Sequence, residues 1–118
     1  MSYKLSIVED PDYLKLIATG DHSAAEMYSF IDRIKAEAVR ARRQKVLVDS
    51  FGYSSLMSET EKFSLGCHLA KVFGPQLKVA IMLPAEHISK LGELTAENRG
   101  ADLLVTSSET EAISWLLA

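Results

Sequence analysis

Residues 3–9, YKLSIVE, place Tyr3, Leu5 and Ile7 on one side of an extended chain and Lys4 and Ser6 on the other. That period of two predicts a half-buried strand. Asp10-Pro11-Asp12 supplies turn chemistry, because proline presets φ and aspartate bonds its neighbouring backbone. A second strand, YLKLIATG, follows over residues 13–20, and the short connection favours an antiparallel hairpin.

The period then changes. In residues 21–43, Met27, Phe30, Ile31, Ile34 and Ala38 recur at helical spacing and form one apolar stripe. Ser23 and Glu26 have the spacing of a capping box, in which each side chain satisfies the other residue's free backbone N–H. Arg40, Arg42 and Arg43 sit where the negative end of the helix dipole favours positive charge. KVLVDSF, residues 45–51, is a continuous apolar run of the kind found in strands covered on both faces.

Ser58 and Glu61 repeat the capping-box spacing. The helix they open places Phe63, Cys67 and Ala70 on one side, with Leu65, Leu69 and Val72 beside them, and Gly74-Pro75 stops it. LKVAIML, residues 77–83, predicts another covered strand closed by Pro84. A helix through Ile88, Leu91 and Leu94 is expected to end near Gly100. ADLLVT is a last strand, and Ser108 with Glu111 opens a final helix through Ala112, Ile113, Trp115 and Leu116. The order β-β-α-β-α-β-α-β-α predicts an α/β fold with right-handed crossovers. The sheet should be mostly parallel, with an antiparallel N-terminal edge strand. Ile34, Val48, Ile81 and Leu104 are the expected core.

Length and composition narrow the picture. One domain spanning residues 1–118 fits the size, and 47% apolar with 25% charged residues is ordinary for a globular chain. A net charge of −3 argues against binding nucleic acid through bulk charge. The single cysteine, Cys67, excludes an internal disulfide and fits a reducing compartment. No apolar run approaches the ~18 residues of a membrane span, and no charged-then-apolar leader opens the chain. A cytoplasmic location is the expectation.

The order of elements, the strand-end Asp49 and the tail GADLLVTSSETEAISWL resemble the STAS superfamily. The nearest likeness is to the small STAS-like, or anti-sigma-factor-antagonist-like, bacterial proteins. The most specific part is a glycine, a short apolar strand, an acidic capped turn and then Ala112, Trp115 and Leu116. The resemblance covers nearly the whole chain. It implies a regulatory or protein-interaction module, a protein partner and homodimerisation. Superfamily relatives also include lipid carriers, which implies a small apolar ligand as the alternative.

Anti-sigma antagonists carry an Asp-Ser-Ser-Gly motif in which one serine is phosphorylated. Its position here falls near Met57, Ser58, Glu59 and Thr60, without the leading aspartate or the closing glycine. Glu59 stands nearest the target serine. A serine phospho-switch is therefore not expected.

Candidate chemistry concentrates after the third strand. Ser54, Ser55 and Ser58 lie where a helix N-terminus offers free N–H groups to an anion. Capping and loop roles explain the same serines, and Glu59 and Glu61 would repel a phosphate. Asp49 lies at a strand's carboxyl end, the place where α/β sheets bind ligands, although an aspartate there also caps loops. Asp49, Ser50, Tyr53, Ser54, Ser55, Ser58 and Glu59 together make up the candidate ligand- or partner-binding set. His22, His68, His87 and Cys67 have no metal-ligand spacing, so no metal is expected. No phosphate loop or nucleophile elbow is present, and no cofactor is expected. No convergent catalytic set appears, which points to a binding protein and away from an enzyme. The basic cluster Arg40, Arg42, Arg43 and Lys45 is expected to be a solvated helix end.

Overall fold

A computed structural model describes residues 3–20, 24–52, 58–88 and 90–118. The elements run β1 (Tyr3–Glu9), β2 (Leu14–Gly20), α1 (Ala24–Ala41), β3 (Lys45–Asp49), α2 (Glu59–Phe73), β4 (Lys78–Met82), a short 3-10 turn (Ala85–His87), α3 (Lys90–Asn98), β5 (Asp102–Thr106) and α4 (Glu109–Leu117). The five strands form one sheet in sequence order. β1 is an antiparallel edge against β2, and every other pair is parallel. The order and the antiparallel edge match the sequence reading.

Two cores follow from the alternation of side chains along the strands. Leu14, Leu16, Val46, Val48, Val79, Ile81 and Leu103 face α1, α2 and α3. Leu47, Ala80 and Met82 face the other way and pack under Ala112 and Leu116 of α4. β3 and β4 are thus covered on both faces, which is why their sequences are apolar without interruption. Every residue of the expected α1 stripe is buried. Ionic and aromatic contacts tie α4 to the sheet. The Lys15 ammonium donates to Glu109 Oε2 at 3.1 Å, and the Lys78 ammonium sits 4.7 Å from the Trp115 ring centroid.

Several local expectations need correction. The chain from Ile88 is not yet α-helix. Pro84 leads into the 3-10 turn, Ile88 is extended, and α3 begins at Lys90. Leu94, expected on its inner face, is exposed, whereas Glu93, Thr95 and Ala96 are buried. On α2 the buried side is Leu65, Gly66, Leu69, Ala70 and Phe73. Phe63 is exposed there, and its ring lies under the Arg99 guanidinium, 5.6 Å from ring centroid to guanidinium carbon. Cys67, on the side of α2 read as apolar, is half-buried. Leu104 is half-buried because β5 is an edge strand, with no neighbour beyond it among the described residues; Ile34, Val48 and Ile81 are buried as expected. Only half of the last capping box forms. The Ser108 hydroxyl accepts from the Glu111 N–H, but Ser108 donates its own N–H to Thr106 Oγ1. The Ser23–Glu26 box falls on Ser23, outside the described residues.

Candidate functional site

The candidate set divides at the end of β3. Alternation continues past Val48, so Asp49 falls on the α4 face of the sheet and Ser50 on the α1–α3 face. Asp49 Oδ1 accepts the Phe51 N–H at 3.2 Å, an aspartate turn that closes the strand. Its charge is felt by Lys15. That ammonium's pKa is raised above 10.5 chiefly by the hydrogen bond to Glu109, with Glu109 and Asp49 adding Coulombic attraction and burial opposing them. Ser50 donates its backbone N–H to the Met82 carbonyl at 2.9 Å, and its side chain is 1% exposed. The chain beyond it passes close over β2, since a Cβ on Gly52 would come within 2.8 Å of the Gly20 carbonyl oxygen. Tyr53, Ser54 and Ser55 lie outside the described residues.

Ser58 is the N-cap of α2. Its hydroxyl accepts the Glu61 N–H at 3.1 Å, and Glu61 Oε1 accepts the Ser58 N–H at 2.8 Å. Such a cap is worth roughly 0.5–2 kcal/mol of stability. Glu59 is exposed in the first turn and pairs loosely with Lys62 at 3.6 Å. Ser58 and Glu59 thus belong to the start of α2.

A cavity of about 80 Å³ lies between α1, α2 and the sheet, on the side to which Ser50 points. Met27, Phe30, Ile31 and Ile34 from α1 form one wall, Leu65 and Leu69 from α2 another, and Ile81, Leu83 and Val105 the floor. Ser50, Lys62, His87 and Glu93 add four polar groups. Ser50 Oγ, fully enclosed, has no hydrogen-bond partner among the described residues. A buried hydroxyl without a partner costs roughly 1–3 kcal/mol.

Glu93 was not read from the sequence as a site residue, yet it is 94% shielded from solvent by the fold. Its Oε2 accepts the Val105 N–H at 2.5 Å and its Oε1 accepts from Lys90 at 2.8 Å. The second bond raises the Lys90 pKa. Lys62 and His87 were likewise missed as lining groups. For Ser50 the signal was present: it continues the inward alternation of Val46 and Val48. For Glu93, Lys62 and His87 no local pattern distinguishes a cavity wall from a solvated helix face. Among the described residues, no group of three or more His, Cys, Asp or Glu side chains is placed to hold a metal, and no helix is long and apolar enough to cross a membrane.

No protein-family model matches the chain, and no curated protein matches it. Solved structures do. An anti-sigma factor antagonist from Mycobacterium paratuberculosis superimposes with a TM-score of 0.64 at 12% identity, over 99% of this chain and 96% of that one. An uncharacterised protein of the DUF3478 family from Shewanella loihica, described as having a SpoIIAA-like fold, gives 0.54 at 20% identity, over 98% and 94%. The chain shares the fold of these structures, the SpoIIAA-like fold of the second.

Proposed function

We propose that this chain is a non-catalytic binding module of STAS-like fold that holds a small, mostly apolar molecule in the cavity under α1 and α2. The observation that carries this reading is the cavity itself, an apolar space with one enclosed, unpartnered hydroxyl beside the carboxyl end of β3. Ligand sites in parallel sheets gather at that end. The size limits the occupant. Drug- and cofactor-sized ligands need about 300–1,000 Å³, so about 80 Å³ selects something far smaller. Crystals held under xenon gas test the reading. A xenon peak is expected among Ile34, Leu69 and Ile81; a structure with xenon elsewhere only, or nowhere, removes the site.

A second reading, a protein-interaction or regulatory module without a serine switch, draws on the α2 start and its surroundings. Phe51 and Phe63 are exposed on the two sides of residues 53–57, and exposed aromatic surface favours a partner protein. The Ser58 hydroxyl is committed to capping, and Glu59 and Glu61 already supply negative charge where a phosphate would have to act. A partner that binds constitutively is the consequence. Homodimerisation belongs to this reading too, and rests on the STAS resemblance.

A further inference from the structure

We infer that the molecule held in the cavity is a small neutral amphiphile: a short alkyl chain of roughly four or five heavy atoms that ends in a hydroxyl bonded to Ser50 Oγ. This rests on the small-ligand reading above and adds the chemistry of the ligand. The length follows from volume. An engineered cavity of about 150 Å³ takes up benzene, and this cavity has about half that space.

The head group follows from the polar lining. Lys62 brings a positive charge that pairs with the exposed Glu59 at 3.6 Å. Glu93 brings a negative charge whose two oxygens are already engaged by Lys90 and the Val105 N–H. A carboxylate head would gain from Lys62 but meet Glu93 as a like charge inside an apolar space. An ammonium head would meet Lys62 in the same way. Desolvating either ion costs far more than desolvating a hydroxyl. A hydroxyl both donates and accepts, so it matches the Ser50 hydroxyl, which can do either. Ser50 is the natural anchor, since it is 1% exposed and has no partner among the described residues.

The test compares 1-butanol, butanoate and butylammonium by calorimetric or NMR titration near neutral pH, with the wild-type protein and with Ser50→Ala. Butanol is expected to bind more tightly than either ion. Ser50→Ala is expected to weaken butanol binding by about three- to tenfold, the equivalent of one neutral hydrogen bond. The melting temperature of the ligand-free variant should be unchanged or higher, because an unpartnered hydroxyl is removed. An ion that binds as tightly as butanol would overturn the head-group assignment while leaving the cavity reading in place. So would a Ser50→Ala variant that melts lower yet binds butanol as before, since that marks a structural serine. If none of the three probes binds saturably, the cavity reading itself fails. The comparison among the probes needs only the wild-type chain and decides the head group even if the variant does not fold.

Discussion

Ile81→Ala is expected to lower the free energy of unfolding by about 2–5 kcal/mol. Ile81 is buried in the centre of the sheet, pairs with Val48 and Val105 across the neighbouring strands, and forms part of the cavity floor. Two terms add. The lost side chain forfeits its transfer energy, and the space it leaves merges with a void already present. Walls held by α1 and α2 on one side and three strands on the other have little freedom to collapse, so the loss should fall in the upper part of that range. Denaturant melts measure it, and an unchanged slope confirms that the unfolded state is not what changed. A loss under ~1 kcal/mol would mean that Ile81 does not occupy the floor. The same variant should admit larger apolar probes than the wild type, because its cavity is wider.

Glu93→Ala is expected to cost about 1–3 kcal/mol, with Glu93→Gln costing distinctly less. The reason lies at the sheet edge. Among the described residues β5 has no strand beyond it, and its Val105 N–H is taken by Glu93 from α3. Unpaired edge N–H groups invite pairing with other chains, so this one bond both locks α3 to β5 and blunts the edge. Alanine leaves the N–H without its acceptor. Glutamine keeps a carbonyl oxygen for Val105 but gives up the charge that draws Lys90. Chemical melts of both variants, with light scattering to follow self-association, give the comparison. Equal losses for the two would shift the credit to the Lys90 pair and away from the backbone bond.

How far the sequence could be read depended on whether burial coincided with hydrophobicity. α1 was legible because its inner face is Met27, Phe30, Ile31, Ile34 and Ala38, all apolar and all buried. β3 and β4 were legible because being covered on both faces makes them apolar throughout. α3 was not. Among its described positions Glu93, Thr95 and Ala96 are buried while Leu94 is exposed, so hydropathy misplaces Glu93 and Leu94. Phe63 on α2 misled for the same reason; its ring is used outside the core, beneath Arg99. The caps were legible one at a time. Ser58 and Glu61 pair reciprocally as their spacing implies, but at Ser108 the neighbouring Thr106 hydroxyl takes the N–H that Glu111 would have bonded.

The cavity was the least legible feature. Its lining comes from α1, the end of β3, α2, the β4–α3 segment and β5, and only folding brings these together. What the sequence did offer was the place, the carboxyl end of β3. The structure then separated Asp49, which turns the chain on the α4 face, from Ser50, which enters the cavity. Ser58 is accounted for as the N-cap of α2.

The most direct test of the central claim is a methyl-NMR titration of the intact chain with 1-butanol. The account predicts saturable shifts at Ile34, Leu65, Leu69, Ile81 and Val105, which share the cavity, and none at Leu47 or Leu116, which pack on the opposite face of the sheet. Shifts that grow linearly without saturation, or that appear at Leu47 and Leu116 and not at Ile34 and Ile81, would contradict it.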